Sequence, residues 1–347
     1  MKFLLIGGSN IWLMPYVQNY LTILKENGCA VDVIEWDRLG EGKAAKFSYK
    51  DQKAGFQRNI FDYFKFAKYV IKILEKKEHD RIILFGIQLS YFLKNELIRN
   101  FRNKYIFDIR DYNKIINLFS LKPVVNNSFN TVISSPGFLK FLPRSDKYLT
   151  GHNVNSEKLL SEKPSELLKH FKHPLKICSI GAFRSLTENK LLLKYIGNNS
   201  DYLIKYHGLG PKSAALMKHV VKYNYSNVVI SLKYEKTEEK LFYQDCDMIN
   251  LLEYPDKYAK YALPNRLYNA AIFGRPVIVF DGSFLAETVS IYGIGYVLNP
   301  RQSLSTQIKA FVNSYDYSTY NIGRTRFLDQ VLKDNLMFVD ALDSFII

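Results

Sequence analysis

The chain has 347 residues, 47% hydrophobic and 23% charged, so it can form two domains with separate cores and is far from the composition of a disordered or fibrous chain. Its 48 Lys and Arg against 33 Asp and Glu leave a net charge of +15, which suits phosphate-bearing substrates, an anionic lipid surface or nucleic acid. The basic residues are scattered, and no zinc finger, basic zipper or RNA-binding aromatic signature accompanies them, so nucleic acid is the weakest of these and is not an expected partner.

The chain opens on "MKFLLIGGSN", whose apolar run is broken by glycines before it reaches the length of a signal-peptide core. It reads as a first strand, and the protein is expected on the cytoplasmic side. No run of about 18 apolar residues occurs that would cross a membrane as a helix. "KFLLIG", "MPYVQNYLTILKENG" and "AVDVIEW" make a strand, a helix and a strand, which is a βαβ unit. A Gly- and Lys-rich loop is expected from Leu39 to Lys53. Beyond it, "NIFDYFKFAKYVIKILEKKEHD" has helical spacing, and "RIILFG", "SYFLKNELIRNF" and "KYIFDIRD" continue the alternation. Shorter strands are expected at "NTVISS" and "DKYLTG".

From Asn153 to Pro174 the sequence turns polar and irregular, with Pro164 and Pro174 bracketing "SELLKHFKH", as an interdomain connection does. Strand patterns then recur at "LKICSIG", "DYLIKYHG", "NVVISLK", "DMINLLE", "RPVIVF" and "GIGYVL", separated by helices such as "TENKLLLKYIG" and "TEEKLFYQD". Ser303 to Ile347 reads as two helices with a turn near "STYNIG". The expected fold is α/β: a Rossmann-like domain at 1–153, a second at 154–322, the two facing a central cleft, and a last helix at 323–347 that packs back on the first.

Cys29, Cys178 and Cys246 are isolated, odd in number and set in apolar surroundings, so buried reduced thiols are expected instead of a disulfide framework or a zinc site. The six histidines form no HxxxH or HExxH pair, and no metal site is expected beyond an ion carried by a ligand's phosphates.

Glycine-containing turns offer the candidate site. Gly7-Gly8-Ser9-Asn10 follows the first strand, either as a bare tight turn or as a loop whose amides approach an anion or sugar. It lacks GxGxxG spacing, and Glu35 or Asp37 is the nearest match to a ribose-binding acid, so a nicotinamide-dependent dehydrogenase is disfavoured. In "SIGAFRSLTENK", Gly181 ends a strand, Arg184 lies in the loop and Lys190 in the next helix. The two cations could grip a pyrophosphate at the helix start, or could be ordinary solvated side chains. "YHGLGPKS" repeats the arrangement at Gly208. "YIFDIRDYN" ends a strand with Asp108, Arg110 and Asp111, either an acceptor-orienting group or a structural ion-pair cluster.

Taken in order, "SIGAFR…K", "YHGLG", "YQDCDMINLL", "LPNRLYNAAIFGRPVIV" and "AETVSIYGIGYVL" resemble the C-terminal half of retaining GT-B fold glycosyltransferases of glycosyltransferase family four. "GGSNIWLMPYV", "FDIRD" and "ISSPGFLKFLP…GHN" resemble bacterial polysaccharide-assembly members of that group. The resemblance implies two Rossmann-like domains and a hexosyltransferase that moves a sugar from a nucleoside-diphosphate sugar to a saccharide acceptor, commonly lipid-linked, in surface polysaccharide or capsule synthesis. It implies no cofactor beyond the sugar nucleotide. It assigns the donor diphosphate to Arg184 and Lys190 and matches Cys246-Asp247 and Asn269 to Val277 to family motifs. It places Gly7, Gly8, Gly181, Gly208, Tyr261, Arg266, Asn269 and Glu287 around the donor, and Asp108 and Asp111 at the acceptor.

The family commonly has two glutamates eight positions apart, and here those positions are Tyr261 and Asn269. That departure leaves two alternatives beside the transferase: a sugar-nucleotide epimerase of the same architecture, and a catalytically silent GT-B binding subunit. The segment "NLFSLKPVVNNSFNTVISSPGFLKFLPR", with Lys122, Lys140 and Arg144, is the expected contact with an anionic membrane, unless its aromatics belong to the first core.

Overall fold

A computed structural model of the protein describes residues 1–40, 45–53, 55, 57–154, 156–161 and 168–347. Pro164, the first residues of "SELLKHFKH" and part of the loop expected between Leu39 and Lys53 lie outside the described residues. Contacts divide the chain into two units, Met1–Asn155 with Lys333–Ile347, and Ser156–Leu332.

The first unit is a seven-stranded sheet: β1 (Lys2–Ile6), β2 (Ala30–Asp37), β3 (Phe47–Lys50), β4 (Arg81–Phe85), β5 (Tyr105–Ile109), β6 (Thr131–Ile133) and β7 (Tyr148–Thr150). Its order is β3-β2-β1-β4-β5-β6-β7, with every pairing parallel. Helices α1 (Tyr16–Glu26), α2 (Ile60–Leu74), α3 (Ile87–Asn100) and α4 (Lys122–Asn127) connect the strands. Such a sheet is covered on both faces, which is why "FLLI" and "IILF" are buried without polar alternation. α2 starts where it does because Asn59 accepts from the Phe61 and Asp62 amides while Asp62 accepts from the Asn59 amide at 2.8 Å, a reciprocal capping box.

β3 lies inside the stretch expected as a loop. "FSYK" is a short strand with alternating exposure at the edge of the sheet, so its apolar pattern is weak. The segment expected to meet a membrane is largely core: Val124, Val125 and Phe138 are fully buried, Leu121 and Leu142 nearly so, and Leu118 and Leu139 are exposed.

The second unit opens with α5 (Ser156–Ser161) and carries a six-stranded sheet: β8 (Leu175–Ile180), β9 (Tyr202–His207), β10 (Val228–Ser231), β11 (Met248–Asn250), β12 (Val277–Phe280) and β13 (Gly295–Leu298). Its order is β10-β9-β8-β11-β12-β13, again with every pairing parallel. The connecting helices are α6 (Thr187–Ile196), α7 (Ser213–Lys222), α8 (Glu239–Gln244), α9 (Asn265–Ile272) and α10 (Phe284–Tyr292), followed by α11 (Leu304–Ser314) and α12 (Tyr317–Ile346).

The turn expected near "STYNIG" is helical, within α12. Gly323 ends that stretch, and a Cβ there would stand 1.7 Å from the Tyr292 carbonyl oxygen, so the glycine is a helix-contact residue. The early part of α12 belongs to the second unit: Arg324 donates to the Ala271 carbonyl at 3.0 Å, and Phe327 stacks on Tyr268. From Lys333 onward its residues join the first unit, where Phe338, Leu342 and Phe345 pack in the core with Phe3 and Tyr20. No helix among the described residues is long and apolar enough to cross a membrane.

The cysteine reading is corrected. Cys178 and Cys246 form a disulfide with S–S 2.11 Å and Cα–Cα 6.0 Å, and Cys29 is the free thiol. The two are 68 residues apart in sequence, but the sheet order sets β11 beside β8, with Ile249 opposite Cys178. Spacing in sequence carries no information about such neighbours. The protein denatured without reductant should therefore show one reactive thiol per chain in a colorimetric titration and three after reduction; three in both samples would contradict the bond.

Candidate functional site

In each sheet the order of strands reverses once, between β1 and β4 in the first unit and between β8 and β11 in the second. Loops leaving those strand pairs diverge, and the carboxyl edge opens a crevice there.

In the second unit that edge is shaped by glycines. Gly181 follows β8 at φ 98° and Gly208 follows β9 at φ 133°. A Cβ on Gly208 would stand 2.3 Å from the Gly181 carbonyl oxygen, and one on Gly210 would stand 2.4 Å from the Phe183 nitrogen. The glycines of "YHGLG" thus let two βα loops pack backbone on backbone. Lys212 N donates to the Phe183 carbonyl at 3.1 Å and Gly210 N to Ser213 Oγ at 2.7 Å, which fixes the pair.

The loop so held carries Arg184, exposed, and α9 brings Arg266 to the same place, its Cδ 3.9 Å from where a Cβ on Gly181 would stand. Arg266 is half-buried. Burial pushes its pKa below the ordinary arginine value, Arg184 adds to that, and Tyr243, Glu253 and Tyr234 oppose it. Neither guanidinium has a hydrogen-bond acceptor or a close ion-pair partner among the described residues. Glu253, just beyond β11, completes the group. Desolvation raises its pKa and the nearby Glu188 and Asp256 raise it further, against Arg266 and Arg184.

Glu188 occupies the first turn of α6. It is 5% exposed, and its Oε1 accepts the Tyr254 amide at 3.0 Å. A carboxylate therefore already stands at the helix start expected to receive a phosphate, and the anion-attracting surface is made by guanidinium groups. Lys190, exposed on α6, lies near enough to His219 of α7 to join burial in lowering that imidazole's pKa. The structure thus joins Arg184 with Arg266 and sets Lys190 toward α7.

Asn269 is 8% exposed on α9. Its Oδ1 accepts from Lys158 Nζ at 2.8 Å and its Nδ2 donates to Glu239 Oε1 at 3.1 Å. An amide can make both bonds at once, whereas a carboxylate at this position would face Glu239 without a donor. Arg275, in the turn after α9, is buried and donates through Nε to the Tyr243 carbonyl and through Nη2 to the Gln244 carbonyl, both at 2.8 Å, satisfying the end of α8. Tyr261 sits in a short turn with the Lys260 ammonium 5.7 Å from its ring centroid. Glu287 is exposed in the first turn of α10, which Ser283 caps. Asp247 accepts the Lys176 amide at 2.8 Å, and burial raises its pKa, a structural role at the amino edge of β11.

In the first unit, Gly7 is closely packed: a Cβ there would stand 2.9 Å from Ile11 Cδ1 and 3.3 Å from Met14 Sδ, side-chain ends that would have to shift. Gly8 is half-buried beside Leu89. Glu35 accepts the Ile11 amide at 3.2 Å, and Asp37 accepts from Asn10 Nδ2 at 2.7 Å, so both acids hold the glycine loop in place. Asp108 is fully buried. Arg110 reaches both its oxygens at 2.6 Å, and the Tyr20 hydroxyl donates to Oδ2 at 2.6 Å. Arg110 also donates to the Gly151 carbonyl at 2.7 Å and lies over the Tyr16 ring. Of the two readings of this motif, the geometry at Asp108 is the structural cluster; Asp111 is exposed. Among the described residues no group of three or more His, Cys, Asp or Glu could hold a metal ion.

Sequence reasoning did not single out Glu253, Glu188, Glu239 or Lys158. Glu253 ends "DMINLLE", a strand-end acid, but only the strand order shows that this end adjoins β8.

No protein-family model matches the chain, and no curated protein matches it in sequence. Solved structures match over its whole length. They include sucrose-phosphate synthase from Thermosynechococcus elongatus (12% identity, TM-score 0.70, 100% of this chain and 99% of that one) and a glycosyltransferase from Rickettsia africae (14%, 0.64, 98% of each). The Anabaena protein HepE in complex with UDP and glucose is a third (14%, 0.61, 99% and 100%). The shared architecture is the GT-B fold, two Rossmann-like α/β domains.

Gly210→Ala should force the two loops apart, since no positive φ but only the Phe183 backbone stands in the way. A loss of about 1–3 kcal/mol in urea denaturation is expected, against little change for exposed Leu209→Ala.

Proposed function

We propose that the chain is a glycosyltransferase that transfers a hexosyl group from a UDP-sugar to a saccharide acceptor. The observation that carries the reading is the pair of guanidinium groups without acceptors among the described residues, Arg184 and half-buried Arg266, at the β8/β11 switch point. A desolvated arginine is stable only with an anion or a polar acceptor beside it, and a diphosphate offers bidentate oxygens to both. Support for uridine comes from HepE, whose structures hold UDP and UDP-glucose.

Cleavage of the sugar–phosphate bond puts negative charge on the leaving diphosphate and positive charge on the sugar ring. Arg184 and Arg266 stabilise the first of these, and Lys190, exposed on α6, adds a further positive charge. In a retaining course the leaving phosphate itself takes the acceptor proton. Asp111, the carboxylate of its pair that solvent reaches, is then left to orient the acceptor hydroxyl while Asp108 holds Arg110. The acceptor proposed is a lipid-linked saccharide in surface polysaccharide or capsule assembly, at the inner face of the membrane. No cofactor is assigned.

Calorimetry with UDP should show binding to the wild type. Arg184→Ala and Arg266→Ala should each weaken it by about 1.5–3 kcal/mol, on the order of ten- to a hundredfold. Wild-type affinity in both variants sinks the site. Incubation with a UDP-sugar and no acceptor separates the transferase from an epimerase, which converts its sugar nucleotide alone.

A further inference from the structure

In the first unit, α2 and α3 pack side by side and leave between them a pocket of 320 Å³. That is within the range of about 300 to 1,000 Å³ typical of small-molecule sites. The rings of Phe64, Tyr91 and Phe92 and the side chain of Ile71 line it, with Lys68 and Lys94. The ammonium of Lys68 lies 4.6 Å from the Phe64 ring centroid, and that of Lys94 lies 5.8 Å from Tyr91 and 6.0 Å from Phe119. Both lysines therefore line the pocket with their ammonium groups near aromatic rings.

The surrounding surface repeats this pairing of bulk and charge. Phe61 is 71% exposed, Phe64 47% and Ile60 46%, all on α2, and Leu118, after the turn that packs on α3, is 65% exposed. Between Ile60 and Leu74 the acid is Asp62, which is buried and ion-paired with Lys53 at 2.6 Å. Lys65, Lys68 and Lys72 are exposed on the same helix. The outward side of α2 thus presents phenylalanines and lysines with no carboxylate between them.

Large apolar side chains standing in water beside a ligand-sized apolar pocket gain free energy only in contact with apolar matter. The lysines require that this matter be anionic at its surface. A nucleic acid offers stacking bases and an acidic peptide isolated apolar side chains, but neither offers the continuous hydrocarbon that the pocket and the exposed Ile60, Phe61 and Phe64 together would take up. We propose that the α2–α3 face is a docking site for an anionic phospholipid bilayer, with Phe61 and Phe64 in the acyl region, an acyl chain in the pocket, and headgroup phosphates at Lys68 and Lys94. The site centres on α2 and α3 and takes only Leu118 and Phe119 from the segment Asn117 to Arg144 that the sequence suggested, and it does not depend on the transferase reading.

The test is flotation of the full chain with vesicles, without any sugar nucleotide. It should float with vesicles of equal parts phosphatidylcholine and phosphatidylglycerol and stay behind with phosphatidylcholine alone. Lys68→Gln with Lys94→Gln should lower the partition coefficient on the order of thirtyfold. Phe61→Ser with Phe64→Ser should abolish the part of the binding that survives at salt high enough to screen the lysines. All four side chains project from the surface or line the open pocket, so the circular dichroism of the variants should match wild type; Phe64→Leu, which keeps the apolar bulk, should restore flotation. Failure of the wild type to float overturns the proposal. Wild-type partition in either double variant, or displacement of bound vesicles by nucleic acid with no effect of the phenylalanine pair, overturns it equally.

Discussion

The close approach of the β8–α6 and β9–α7 loops is the contact on which the candidate site depends. Gly208 against the Gly181 carbonyl and Gly210 against the Phe183 backbone leave no room for a side chain, and the Lys212 amide locks the contact. With the loops so joined, Arg184 is displayed on a short, tethered segment. A side chain at Gly208 or Gly210 is excluded by the neighbouring backbone, so both glycines set the geometry of the arginine loop.

Those side chains form an electrostatically unfinished group. Arg184 and Arg266 repel each other, Glu253 relieves part of that repulsion, and among the described residues no acceptor sits within bonding distance of either guanidinium. Two other arginines are completed: Arg110 has Asp108 and two further acceptors, and Arg275 has two carbonyls. The contrast within one chain is what favours the proposal of an external anion at Arg184 and Arg266.

The alternation of short apolar runs with helical spacing made the two parallel-sheet units legible in the sequence, because buried parallel strands need no polar alternation and their crossovers need amphipathic helices. Arg184 was legible as a loop cation for the same reason. Its partner was less so: Arg266 is 82 residues further on and meets Arg184 only through the order β8-β11-β12. The same blindness to strand order hid the Cys178–Cys246 bond and the position of Glu253. The turn expected near "STYNIG" shows the same limit, because a glycine that admits a neighbouring helix looks, in one dimension, like one that ends its own. Of the residues that the resemblance to family four implied, Lys190 lies toward α7 and Asn269 bridges α5 and α8.

Asn269 shows what that departure achieves. α9 is held on one side by Arg275, whose guanidinium closes the carboxyl end of α8, and on another by the Lys158–Asn269–Glu239 bridge, which ties α9 to the start of α8 and to α5. A carboxylate at position 269 would meet Glu239 as a like charge, so the amide and the neighbouring glutamate are a matched pair. Two anchors at opposite ends of the short α8 restrain α9, and Arg266 lies on α9 one turn before Asn269. The backbone that carries its side chain is therefore held by contacts that need no ligand, and the departure from the family pattern is compatible with the proposed anion site.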